Sequence, residues 1–569
     1  MAAQEKTVTR HSLPFGAEVQ AGGGVRFRFW APGARTVDLA LSSKFLPMKN
    51  NDGWYEHVEP QAGPGTRYRY RIDGELLVPD PASRFQPEDV DGPSEVIDPH
   101  AYKWSDHAWH GRPWREAVIY ELHVGTFTPE GTYAGAEKKL KALVDLGVTA
   151  IELMPLADFA GKRNWGYDGV LPYAPDSAYG RPEDLKALIN AAHGLGLMVL
   201  LDVVYNHFGP KGNYLPRYAP QFFTEKHHTP WGAAIDFSKD PVRKFFVHNV
   251  RYWLEEYRFD GLRFDAVHAI IDESPRHILD EICGAAPPGK HLVLENDANQ
   301  ARFIGPGHYT AQWNDDSHHG YHVLATGETD GYYVAYAGAP AKHLARCLAE
   351  GFAYQGEVSP FSKEHRGEPS AHLPPACFVD FLQNHDQIGN RAMGERITIL
   401  AQERALKALT AIQLLAPSPP LLFMGEEWGC KQPFLFFCDF DGELGEAVRK
   451  GRREEFKRFV SFNKTIPDPL AEGTFRLCVL DWTKRDAGWL AHYKKLLQTR
   501  ARTVARRDFG PGKYQMLGER AFEVKWDGLT LIANCGDQKV DVKVIPAQAA
   551  LWSNGRPGES WSVNWWISA

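Results

Sequence analysis

Eight short apolar runs, set along the middle of the chain and separated by helical periodicities, constrain its fold more than any other feature. They fall at 117–122, 149–153, 197–204, 261–264, 291–294, 309–313, 377–382 and 420–423. Each is too short for a helix and too continuous for a strand with one wet face. Runs of this kind are strands buried on both sides, which pair in parallel. Between them, Ala136, Leu140, Leu143 and Val144 fall on one helical face. So do Val242, Phe245, Phe246, Val250, Trp253, Leu254 and Tyr257, and 185–192 reads as a further helix. Alternating strands and helices with buried strands predict an α/β fold, here a (β/α)8 TIM barrel with long insertions. An open doubly wound sheet is the alternative, and no GxGxxG or P-loop supports it.

The flanks have a different texture. Residues 25–29 and 67–71 alternate apolar and polar, and 51–53 and 73–74 are turn signals. This predicts an N-terminal β-sandwich over 1–110, joined by the Pro/Asp/Gly-rich stretch 79–99 to a barrel over 111–505. Strand patterns at 529–533 and 540–545, with turns at 527–528 and 554–555, predict a C-terminal β domain over 506–569. The charged run 450–458 reads as a solvated helix face. No internal repeat is present.

Composition then narrows the function. The 569 residues carry 64 Lys+Arg against 71 Asp+Glu, a net charge of −7. A main partner that is nucleic acid would demand a basic excess. Hydrophobic residues at 43% are enough to build a large core and exclude global disorder. The 17 Trp, 22 Tyr and 31 Phe fit either that core or flat platforms for sugars. Seven scattered cysteines without a CxxC argue against a disulfide scaffold and against zinc. The first ten residues are polar, and no apolar stretch is long enough to span a bilayer. The expectation is a soluble, cytoplasmic protein with neither a membrane nor a nucleic-acid partner.

In a barrel the active site lies at the C-terminal ends of the strands. Four such ends carry reactive groups: LLDVVYNH at 200–207, GLRFDAVH at 261–268, LVLEND at 292–297 and FLQNHDQIGNR at 381–391. A lone Asp after a strand can simply cap the next helix. Four converging ends are not explained that way. Arg263 and Asp265 are two apart on a strand and point the same way, so the cation favours an ionised Asp265.

These four segments, in this order, resemble the four signature regions of the α-amylase family of glycoside hydrolases. The resemblance implies Asp265 as nucleophile, Glu295 as general acid/base and Asp386 as the third, transition-state-stabilising carboxylate. It places Asp202, His207, Arg263 and His385 on the sugar. Tyr167, within Asn164-Trp165-Gly166-Tyr167-Asp168, matches the aromatic platform beneath the reacting ring, with Asp168 beside it. Retaining cleavage needs two carboxyl groups about 5–5.5 Å apart, one to protonate the leaving oxygen and one to attack the anomeric carbon. Asn206 matches a position that binds calcium in some members, but the loop 208–240 shows no calcium cage. Neither a metal nor an organic cofactor is implied.

Further segments are similar to those of members acting on malto-oligosyltrehalose. They are Glu295-Asn296-Asp297-Ala298-Asn299, Gln312-Trp313-Asn314-Asp315-Asp316, His318-His319 and the run 383–391, with 423–429, 434–439 and 13–17. Ser317 departs from a more usual aromatic. The resemblance implies hydrolysis of the α-1,4 bond next to a terminal trehalose, with malto-oligosyltrehalose and other α-1,4-glucans as partners. Asp297, Trp313 and Arg391 are the expected product-side contacts. The alternative is a 1,4-α-glucan branching enzyme, a transferase that shares the three carboxylates. A non-catalytic glucan-binding protein is disfavoured because all three are present.

Overall fold

The computed structural model describes residues 12–457 and 466–568. The N-terminal decapeptide and Arg458 of the charged run therefore lie outside the described residues. The predicted sandwich is present as two antiparallel sheets. One orders Gly16–Val19, Val25–Trp30, Trp54–Glu59 and Lys49–Asn51; the other orders Lys44–Pro47, Val37–Leu41, Arg67–Ile72 and Leu76–Val78, with Ser94–Glu95 beside Arg67–Ile72. The period-2 pattern sends Val25, Phe27 and Phe29 inward from one sheet and Tyr68, Tyr70 and Ile72 from the other. Phe29 stacks on Tyr70 at 4.2 Å. The buried carboxylate Asp80 accepts hydrogen bonds from the Tyr68 and Tyr70 hydroxyls at 2.8 and 3.1 Å. Arg84 ties this layer to the barrel by pairing with Glu18 at 2.8 Å and Glu256 at 3.4 Å.

All eight predicted barrel strands form, and they close in sequence order: β1 (Ile119–Leu122), β2 (Ala150–Leu153), β3 (Met198–Val203), β4 (Gly261–Phe264), β5 (His291–Leu294), β6 (Ala311–Trp313), β7 (Phe378–Phe381) and β8 (Pro420–Phe423). Every neighbouring pair is parallel. Ile119, Ala150, Met198, Leu200, Val293, Ala311, Val379, Phe381 and Leu421 pack against one another inside the ring. The outward residues pack beneath the helices. Gly261 opens β4 where a Cβ would lie 2.2 Å from the His291 carbonyl oxygen, so only glycine fits that register.

The helices follow the predicted faces but not always the predicted continuity. Ala136, Leu140 and Leu143 are buried as expected, yet they sit on two helices, Tyr133–Glu137 and Leu140–Leu146. Helix Asp240–Arg251 passes into a wider π turn at Tyr252–Glu256 that keeps Trp253 and Leu254 inward. The loop after β3 holds a hairpin, Phe223–Thr229 with Gly232–Ile235, that the sequence did not suggest. Helix Gly442–Lys457 carries the charged run. That run is not wholly solvated: Arg452 turns back and donates to the Gly389 carbonyl at 2.6 Å.

The C-terminal sheet orders Lys513–Met516, Ala521–Trp526, Leu529–Asn534, Ser562–Ile567 and Trp552–Ser553. The strand expected at 540–545 does not form. The free edge of Leu529–Asn534 is taken by Ser562–Ile567, and Val544 and Ile545 stand 73% and 49% exposed. Among the described residues no helix is long and apolar enough to cross a membrane. All seven cysteines are free thiols.

Candidate active site

The inward positions of the strands change character toward their C-terminal ends. Continuing each strand by one period-2 step replaces Ile119 by Glu121, Ala150 by Glu152, Leu200 by Asp202 and Val293 by Glu295. Charge therefore collects at one end of a barrel whose other end is apolar. Arg263, on β4 and fully buried, stands at its centre. Its Nη1 donates to Asp202 Oδ2 and, at 3.1 Å, to Asp265 Oδ1; its Nη2 donates to Glu295 Oε2. The Trp313 ring lies 4.1 Å from the guanidinium carbon. One cation thus holds three carboxylates that arrive on β3, β4 and β5.

Backbone strain contributes to the same arrangement. Ala266 adopts a left-handed conformation, φ 40° and ψ 49°, which is unfavourable for a residue with a Cβ. That turn aims its N–H at Glu295 Oε2, 3.0 Å away. Asp265 Oδ2 accepts from Asn206 Nδ2 at 3.1 Å. Asn206 Oδ1 lies 2.6 Å from His207 Nδ1, and His207 Nε2 is 3.0 Å from the Tyr167 carbonyl. The position considered for calcium therefore holds the proposed nucleophile. Among the described residues no group of three or more His, Cys, Asp or Glu is placed to hold a metal ion.

Electrostatics follow from this crowding. Burial, reinforced by Asp265 and opposed by Arg263, pushes the Asp202 carboxyl up to about 7. Burial lowers the His207 imidazole to about 4. His385 goes the other way. Burial would depress it, but the Asp386 and Glu121 carboxylates overcome that and raise it to about 9. Glu121, from β1, receives both the His385 backbone N–H at 3.2 Å and Nδ1 at 2.5 Å. The His385 ring stacks on Tyr167 at 4.9 Å, and the Tyr167 hydroxyl donates to Asp202 at 2.6 Å. Gly389 keeps the following turn against Trp165, since a Cβ there would come within 2.0 Å of the indole.

Above this floor opens a cleft of about 530 Å³, lined by Tyr167, His207, Asp265, Glu295, His385 and Asp386 among others. The structure thus brings the three predicted carboxylates, the aromatic platform and both histidines to one space. Asp202 and Arg263 form its floor. Asp168 is drawn aside by Asn164 Nδ2 at 2.7 Å and does not line the cleft. Trp313 corrects an expectation: 1% exposed, it packs beneath Arg263 inside the barrel and presents no surface to a substrate. Asp297 and Arg391 stand outside the cleft lining and are already paired, Asp297 with Arg366 at 3.0 Å and Arg391 with Glu328 at 2.8 Å.

Three residues escaped the sequence reading, and a fourth, Asn206, was read only as a calcium-type position. Glu121 sat within a recognised run, where a carboxylate inside an apolar strand was the available signal. Trp231, at the hairpin tip, stacks on His207 with ring centres 4.2 Å apart and lines the cleft. Arg452 also lines it, from a helix far along the chain. Nothing local marked either one.

A closed parallel barrel with this acid cluster at the strand ends, behind a β-sandwich, defines the class: an α-amylase-type glycoside hydrolase. The family model for the alpha amylase catalytic domain matches residues 83–228, and that for carbohydrate-binding module 48, the isoamylase N-terminal domain, matches 14–101. A malto-oligosyltrehalose trehalohydrolase of Deinococcus radiodurans is 46% identical over 84% of this chain and 81% of its own length. One from Saccharolobus solfataricus is 43% identical over 84% and 85%. A Salmonella typhimurium crystal structure, an alpha amylase candidate, superposes with TM-score 0.94 at 45% identity, covering 98% of this chain and all of that one. By contrast, a Streptomyces coelicolor 1,4-alpha-glucan branching enzyme matches only 44% of this chain and 37% of its own, at 35% identity. The chain belongs to the malto-oligosyltrehalose trehalohydrolase family.

Proposed function

We propose that this protein hydrolyses the α-1,4-glucosidic bond next to the terminal trehalose of malto-oligosyltrehalose, releasing trehalose and a maltodextrin. One observation carries the chemistry: Arg263 joins Asp265 and Glu295 at the floor of a cleft walled by Tyr167, His385 and Asp386. The names and coverage of the relatives support the trehalosyl substrate.

Asp265 is the nucleophile. Arg263 and Asn206 each donate to one of its oxygens and so stabilise the anion. Glu295 is the general acid/base. Its Oε2 is occupied by Arg263 and the Ala266 N–H, so the transferable proton sits on Oε1, which accepts no hydrogen bond among the described residues. Proton transfer to the glycosidic oxygen and attack by Asp265 give a covalent glycosyl-enzyme; Glu295 then activates water to release it with retention. Asp386 and the His385 cation flank the ring as it gains oxocarbenium character, and Tyr167 supports its face. Asp297 and Arg391 belong to the product side, each held by an opposite charge. Residues 1–110, 111–505 and 506–569 serve as sandwich, catalytic barrel and C-terminal domain. Seven unpaired thiols favour a reducing compartment, the cytoplasm.

Product analysis tests the reading. Maltotriosyl-trehalose should yield free trehalose with kcat/KM far above that for maltopentaose. Formation of α-1,6 branches on amylose, with the trehalosyl substrate ignored, would instead establish the branching-enzyme reading.

A further inference from the structure

Glu152 has no part in the chemistry above, yet its position is unusual. It sits on β2, 1% exposed, at an inward position directly above Ala150 of the barrel core. Its Cα is in register with Glu121 of β1 and Leu200 of β3, one inward step below Asp202, which is itself in register with Arg263. Neither carboxyl oxygen of Glu152 has a hydrogen-bond partner. Two other buried atoms in this layer also lack one: Oδ1 of Asp202 and Nε of Arg263. An unpaired buried polar atom is costly, so these four together call for a common explanation.

The three needs are complementary. Arg263 Nε–H is a donor and Asp202 Oδ1 an acceptor. An ionised Glu152 is acceptor-only and could serve the first alone. A protonated carboxyl carries one O–H and one C=O and serves both. The charges facing Glu152 point the same way: Glu121 from β1 and Asp202 from β3 oppose its ionisation, Arg263 from β4 and His385 after β7 favour it, and burial outweighs them all, raising the carboxyl well above its usual range.

We propose that Glu152 is a positioning residue of the catalytic site, a neutral carboxylic acid inside the barrel that is linked through ordered water to Nε–H of Arg263 and Oδ1 of Asp202, since none of these atoms meets another directly. Through that water its C=O receives from Arg263 and its O–H gives to Asp202. The link fixes the plane of the guanidinium from below, while the two Nη groups hold Asp265 and Glu295 above. The proposal rests on the assignment of those two as the reacting carboxylates.

Two variants of similar size separate this role from simple packing. Gln offers one C=O acceptor and an NH2 donor in place of the C=O and O–H of the neutral acid; Leu offers neither. Glu152→Leu should lower kcat by about 10²-fold with KM little changed, the cost of a slightly misplaced reacting group. Glu152→Gln should recover activity to within about 5-fold of wild type and keep both limbs of its pH profile. A folded Glu152→Leu with wild-type kcat overturns the proposal. So does Glu152→Gln as impaired as Leu, or with a shifted pH profile, because either means that the native group is charged. An infrared difference spectrum, wild type minus Glu152→Gln above neutral pH, should show a protonated-carboxyl C=O band, and its absence refutes the neutral acid whatever the activities. Should the wild type cleave no α-1,4-glucan, the functional reading falls, and the infrared result still decides the state of Glu152.

Discussion

The two ends of the barrel interior are built from the same strands yet obey opposite rules. At the N-terminal end Met198, Ala311, Val379 and Leu421 pack as an apolar plug, and each contributes by excluding water. At the C-terminal end Glu121, Glu152, Asp202, Asp265 and Glu295 surround a single buried arginine. Burying such charges is unfavourable unless each finds partners. The plug supplies the stability that lets the other end hold acids in a geometry useful for catalysis.

Substitutions at the two ends should therefore fail differently. The largest effect is expected at Asp265→Asn, which keeps the shape and removes the anion proposed to attack. kcat should fall by more than about 10⁴-fold, beyond a lone acid/base contribution, with an unchanged melting curve. Near-normal turnover would break the contrast at its centre.

Next comes Met198→Ala in the plug. It should destabilise the fold by about 2–5 kcal/mol, seen as a lower denaturation midpoint, while the folded fraction keeps most of its turnover. Loss of kcat without loss of stability would show that the plug takes a direct part in positioning.

A third test uses pH. The His385 imidazole is raised to about 9 in the folded protein, Asp386 and Glu121 overcoming burial, against an unfolded value near 6.5. The folded state therefore holds an extra proton between those values. Its contribution to stability is complete below about pH 6.5 and is lost as pH rises toward 9. Glu121→Gln should flatten the slope of stability against pH in that window. A slope unchanged from wild type would assign it to other groups.

The smallest effect is expected at Asp297→Ala, outside the charged floor. It should narrow the kcat/KM preference for maltotriosyl-trehalose over maltopentaose by about 10-fold, within the range available to a single contact. An unaltered ratio would place trehalose recognition elsewhere on the wall.

What could be read from the sequence follows the same division. Apolar runs report burial, so all eight barrel strands were visible, three of them with the bounds found here. Asp265 and Glu295, the proposed reacting carboxylates, were visible because each directly follows such a run, whereas Asp386 lies four residues beyond one and stood out through the family resemblance. Trp313 was misread because a terminal strand residue can point to the cleft or beneath it, and only the packing under Arg263 decides. The run at 540–545 alternates like a strand, but a strand needs an open edge, and the later segment Ser562–Ile567 occupies it. Trp231 and Arg452 reach the cleft through a hairpin and a helix whose paths depend on distant contacts, which no local pattern encodes.

The arginine shared by three acids also constrains how the chain reaches its native state. Its partners come from β3, β4 and β5 and span nearly a hundred residues of sequence. A guanidinium stripped of water before they assemble would face a penalty of several kcal/mol. It must stay hydrated until those three strands have docked side by side, whereas the apolar plug gains from every early contact. Early drying is therefore costly at the reactive end of the barrel and favourable at the plug.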